Sequence, residues 1–159
     1  MRLTSAAEPE LMHRVYGAAF AQPPWSETPE QIAAFPGKLA AHSAMPGFLC
    51  RLAWVDRELA GFTYGFRNPE WPDEPFYRNL REAAGDLSHL FELVEVAVDP
   101  RFSGRRIGTA MLGSLMEEAG PSWLLTSPRA VAAVRLYGKL GWRHHADVGD
   151  LRVYLSPCA

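Results

Sequence analysis

Residues 90–120 constrain this chain more than any other stretch: LFELVEVAV runs into DPRFSGRRIG and then into TAMLGSLMEEAG. A valine-rich, nearly continuous apolar run reads as a buried strand, and the apolar spacing after the turn reads as an amphipathic helix. Between them lies a short loop rich in Pro, Gly and Arg. Such a loop points its free backbone N–H groups and the positive end of the helix dipole at one place, where Arg101, Arg105 and Arg106 add charge. That place is expected to bind an anion, and phosphate fits best.

The remaining segments assemble around this unit. Residues 2–4 are a short first strand, and Ser5 with Glu8 forms a capping box for a helix over about 6–20, which carries Leu11, Met12, Val15, Tyr16 and Ala19 at helical spacing. Pro23 and Pro24 stop it before Trp25. A second capping box at Thr28 and Gln31 opens another helix, which Pro36-Gly37 must kink or break. Residues 48–55 and 59–67 form a hairpin, with Phe62, Tyr64 and Phe66 alternating along its second strand. Residues 68–89 carry Pro69, Pro72, Pro75 and only one short helix, 75–84. A connection this long is usually functional. Its Trp71, Phe76 and Tyr77 therefore mark it as a candidate substrate lid, and Trp25 marks the proline-rich link as a second pocket wall. After the central strand and helix come a strand at 123–126, a helix from about 128 to 140 opened by Ser127-Pro128, and a hairpin of 142–148 and 151–155. Strands and helices in this order describe an α/β sandwich with a mostly antiparallel sheet.

Two carboxylates lie inside the central strand. In a regular strand Glu92 and Glu95 point to opposite faces, and a bulge between them would bring them closer. In either case a carboxylate in so apolar a run loses hydration. Its pKa then rises, which makes it a candidate general base.

Charge and composition narrow the function classes. Of 159 residues 48% are hydrophobic and 21% charged, and the net charge of −2 argues against a general nucleic-acid binder. Residues 70–99 hold eight acids against two arginines, whereas residues 101–143 hold seven basic residues against two acids. One region suits a cation and the next an anion. The two cysteines, Cys50 and Cys158, have no metal-ligand or disulfide spacing and read as free thiols of a reducing cytoplasm. No apolar run is long enough for a membrane span, and no signal pattern opens the chain. A soluble, cytoplasmic protein without a metal is expected, and the edge of strand 151–155 is available to pair with a second copy.

Two segments resemble the GNAT superfamily of acyl-CoA-dependent N-acetyltransferases. AVDPRFSGRRIGTAML at 97–112 looks like the family's acetyl-CoA pyrophosphate loop, and AVRLYGKLGW at 133–142 looks like its second cofactor motif. The family's loop is usually written Q/R-x-x-G-x-G/A, and here those marked places hold Ser103, Arg106 and Gly108. The resemblance implies a GNAT fold in one domain over residues 1–159, a mixed, mostly antiparallel sheet of six to seven strands flanked by about four helices.

It further implies acetyl-CoA as co-substrate, with the backbone of Ser103, Gly104, Arg105, Arg106, Ile107, Gly108 and Thr109 around the pyrophosphate. The main chain of Val96, Ala97 and Val98 would lie along the pantetheine arm as an added strand does. Tyr137 would be the general acid at the leaving thiolate and Glu92 the base, with Glu95 as the alternative. The acceptor would be a primary amine, and the acidic stretch favours a cationic small molecule. Transfer to a peptide amine, or acyl-CoA binding without catalysis, are the competing readings.

Overall fold

The computed structural model describes residues 1–159. Seven strands form one sheet, β1 (Arg2–Thr4), β2 (Leu49–Val55), β3 (Glu58–Arg67), β4 (Phe91–Val98), β5 (Ser122–Thr126), β6 (Arg143–Val148) and β7 (Leu151–Leu155), in the order β1-β2-β3-β4-β5-β7-β6. Only β4 and β5 pair in parallel. Their connection is the long helix α5, Ile107–Ala119, entered through a 3₁₀ turn at Pro100–Phe102.

The expected hairpins form. β2 and β3 join across Asp56-Arg57, where Asp56 takes a left-handed φ of 56°, and β6 and β7 join across Gly149-Asp150. Strand β7 lies between β5 and β6, so the free edge on that side belongs to β6, and residues 151–155 are not the available edge the sequence suggested. A closing hairpin can insert its second strand because β5 offers an unpaired edge along an apolar floor.

Helices cover both faces. On one lie α1 (Pro9–Phe20), α3 (Phe35–Ser43) and α4 (Pro75–Ala84), and on the other α5 and α6 (Val131–Lys139). The stripe Ile107, Met111, Leu112, Leu115 and Ala119 of α5 is buried, and full burial of each large side chain contributes about 1.5–3 kcal/mol. α2 (Pro29–Ala33) begins with the expected Thr28–Gln31 capping box. The break from α3 falls at Ala34, just ahead of Pro36, which then occupies the first turn of α3 where its missing N–H costs nothing.

Two caps differ from expectation. Glu8, not Ser5, precedes α1, and no side-chain cap forms there; Pro9 takes the first helical position. Ser127 accepts from the Arg129 N–H in a local turn, so α6 starts only at Val131. A serine hydroxyl that bonds a nearby amide competes with helix propagation.

The 68–89 connection is a packed wall, not a free lid. Leu80 of α4 is fully buried, and Trp71 lies in the same cluster, its ring edge-on to Trp123 at 5.7 Å. The sequence could not show that β5 and β7 need a cover, which this segment supplies.

Candidate active site

The turn after β4 is anchored by its own charges. The Asp99 carboxylate accepts from the Arg101 amide at 3.0 Å and from its guanidinium at 2.9 Å, and Arg101 also reaches Glu58 at 2.7 Å. These bonds hold the Asp99 carboxyl below the usual carboxylate range. Arg101 is therefore spent on the loop's own structure, whereas Arg105 and Arg106 have no carboxylate partner. Gly104 takes a left-handed φ of 78°, and Arg106, at φ 58°, enters α5 in the same region without any side-chain cap. A left-handed non-glycine residue costs of order 1 kcal/mol, and such strain is often kept where function needs the geometry. The amides of Ile107, Gly108 and Thr109 precede the first N–H that donates within the helix, since Ala110 is the residue whose amide donates back to the Arg106 carbonyl. The Ser103 amide is occupied by Pro100.

β4 opens away from β5. The two strands pair only at Phe91, Glu92 and Leu93, while β4 remains paired with β3 as far as Val98. The β5-facing main chain of residues 94–98 thus lacks a strand neighbour. Beside it runs a groove of about 440 Å³ lined by Val96 and Val98, by Ala130, Ala133 and Leu136 at α6, and by Trp25 of the proline-rich link. It is apolar, open, and edged by backbone polar groups, the chemistry that an amide-containing chain such as pantetheine needs.

A bulge decides where the carboxylates point. Tyr64 is opposite Glu95 and Gly65 opposite Leu93, so Val94 is the extra residue of β4. That insertion reverses the alternation between positions 92 and 95, and both carboxylates line one cavity of about 340 Å³ on the α3 and α4 side. Gly65 makes the bulge possible, because a Cβ there would overlap the Glu92 carbonyl oxygen and the Phe91 ring.

The two acids differ sharply in surroundings. Glu92 is 9% exposed, and burial with no compensating charge pushes its pKa to about 7. Glu95 meets the Lys38 ammonium at 2.7 Å; burial pushes its carboxyl upward and the ammonium opposes that. Phe66, Phe76, Tyr77 and Trp123 complete the cavity, with His42 at one side. The His42 Nδ1 is 2.9 Å from the Tyr64 hydroxyl, and burial followed by the Lys38 charge lowers its pKa, keeping the ring neutral.

Tyr137 projects from α6 into an adjoining cavity of about 230 Å³ that also contains Glu95, Thr126 and Tyr16. Its ring packs against Trp142 and Tyr154, at 5.9 and 6.1 Å, while burial first and the Glu95 charge second keep the phenol protonated. Lys38, Val94, Glu95 and Leu125 line both this cavity and the one holding Glu92.

Of the aromatic residues singled out in the sequence, Phe76 and Tyr77 reach the Glu92 cavity, Trp25 reaches the groove and the Tyr137 cavity, and Trp71 is core. Sequence reasoning missed Lys38, His42, and the pair formed by the Tyr16 hydroxyl donating to Glu27 at 2.7 Å. Lys38 is a lone basic residue after a helix break, and its partner is 57 positions away. Tyr16 alone carried a signal, as a phenol on an otherwise apolar helix face.

The profile of the acetyltransferase (GNAT) family matches residues 11–142. Three solved structures share the fold at low identity. PH1933 from Pyrococcus horikoshii OT3 is 17% identical, with a TM-score of 0.72 and 98% of each chain covered. An acetyltransferase from Thermus thermophilus is 18% identical at a TM-score of 0.70, covering 99% of this chain and 97% of the other. The PaiA N-acetyltransferase from Thermoplasma acidophilum, solved in complex with coenzyme A, is 14% identical at 0.62, covering 98% and 99%. A comparison with curated protein sequences found no match.

Proposed function

The chain belongs to the acetyltransferase (GNAT) family, whose members are acetyl-CoA-dependent N-acetyltransferases, and from that premise we propose direct acetyl transfer to a primary amine at the β4 bulge, with Glu92 as base and Tyr137 as acid. Support comes from one observation above the rest: the Glu92 and Tyr137 cavities share Lys38, Val94, Glu95 and Leu125 as a common wall. Donor and acceptor entering from opposite sides would meet there, and holding two reactants in line removes much of the barrier of a bimolecular reaction.

The amides of Ile107, Gly108 and Thr109, with Arg105 and Arg106, hold the pyrophosphate of acetyl-CoA, and the open edge of β4 at Val96, Ala97 and Val98 holds its pantetheine. Glu92 accepts the proton as the amine nitrogen bonds to the thioester carbonyl carbon. With a pKa of about 7 it is ionised often enough to act and basic enough to be useful near neutral pH. Tyr137, kept protonated, donates to the sulfur as the carbon–sulfur bond breaks. Glu95 remains bound to Lys38 and positions the wall between the two sites.

Coenzyme A release from acetyl-CoA in the presence of a panel of primary amines tests this reading. Release that requires an amine supports it. Tight acetyl-CoA binding with no release for any amine would instead mean a non-catalytic acyl-CoA-binding module.

A further inference from the structure

We propose that the acceptor is a small monoamine on an aromatic or apolar carrier, and that Lys38 excludes polycations by occupying the second carboxylate of the cavity. This rests on the reading of the Glu92 cavity as the acceptor site. The acid-rich sequence at residues 70–99 favours a cationic acceptor, but the fold disperses that charge. Asp73 pairs with Arg78 at 2.8 Å and Asp99 with Arg101, while Glu70, Glu74 and Glu82 are exposed and outside the cavity wall. Only Glu92 and Glu95 face the cavity, and Glu95 already holds an ammonium at 2.7 Å.

One carboxylate is therefore left for an incoming cation. A second ammonium would find no other unpaired carboxylate lining this cavity and would approach Lys38, whose side chain is 42% exposed. The remaining wall is aromatic. Trp123 and Phe66 are buried beneath the cavity, and Phe76 stands 45% exposed at its rim with its ring edge-on to Tyr77 at 5.0 Å. Aromatic faces attract one ammonium and bury an apolar carrier. An arylalkylamine or short alkylamine matches this wall with one ammonium and an apolar body, whereas an aminoglycoside would bring several ammonium groups to one free carboxylate.

The test compares phenethylamine, tryptamine and hexylamine with putrescine, spermidine and kanamycin. Two readouts are taken: coenzyme A release, and calorimetric binding to protein saturated with coenzyme A. The expected kcat/KM and affinity for phenethylamine exceed those for spermidine by about tenfold or more. In Lys38→Met, Glu95 is freed and that ratio falls towards or below one. Should the variant fail to fold, the wild-type ratios decide alone. Equal or better use of spermidine or kanamycin overturns the proposal while leaving the catalytic reading intact. Binding of the apolar monoamines over the polyamines without turnover upholds the proposal and defeats the catalytic reading. Binding of neither class overturns it.

Discussion

Replacing Glu92 by Gln should stabilise the protein at alkaline pH while removing most of its activity. Glutamine keeps the shape of the side chain and removes its charge. Burial moves the Glu92 pKa from 4.5 to about 7, so the folded protein binds the proton more tightly than the unfolded chain. Stability from this group is fully present below the unfolded value and is lost as pH rises through the interval up to the folded value. At 1.36 kcal/mol for each tenfold change, the loss between pH 4 and pH 8 is about 3 kcal/mol. The Gln variant has no such loss. For a chain of this size 1 kcal/mol corresponds to a few degrees, so its melting temperature should exceed that of wild type by roughly 6–12 °C at pH 8 and match it within about 2 °C near pH 4. The groups facing Glu92, namely Lys38 and His42 from α3, Tyr77 from α4 and Glu95 on its own strand, are present in both proteins. Their titration largely cancels in the difference. Thermal unfolding of both proteins across pH 4–8.5 is the assay. A difference that does not grow with pH would refute the claim that Glu92 is desolvated and unpaired. In parallel, coenzyme A release should fall by about 10²–10⁴-fold if Glu92 is the base.

Tyr137→Phe should lower kcat by at least about tenfold with little change in coenzyme A affinity, measured by steady-state kinetics and calorimetry. Gly65→Ala should destabilise the protein by about 3 kcal/mol or more in denaturant unfolding, because the new Cβ overlaps the Glu92 carbonyl and must push β3 from β4. Exposed Cys158 should react readily with a thiol reagent. Cys50 should not: burial pushes its thiol up to about 11, and it is engaged with the Ser5 carbonyl at 3.1 Å.

Much of this protein follows from local sequence. The 3.6-residue stripe from Ile107 to Ala119, the Thr28–Gln31 capping box and the turns at Asp56-Arg57 and Gly149-Asp150 depend on neighbours within a few positions, and the structure has them as the sequence predicts. The loop after β4 was legible for the same reason, as an uncapped helix start entered through a Pro- and Gly-bearing turn. Where a hydroxyl had two local partners, as at Ser127, reading the helix start from the sequence failed by a few residues.

The division of labour between Glu92 and Glu95 could be decided only by tertiary structure. Their sequence surroundings are almost alike. The extra residue Val94 turns both to one face, Gly65 of the neighbouring strand makes room for it, and Lys38, 57 positions from Glu95, neutralises one acid and leaves the other alone. Likewise the run of acids before β4 predicted a concentrated negative site, yet most of those charges point to solvent or to arginines. Electrostatic energy depends on distance and dielectric in the folded molecule, whereas sequence order reports only how many charges the chain carries.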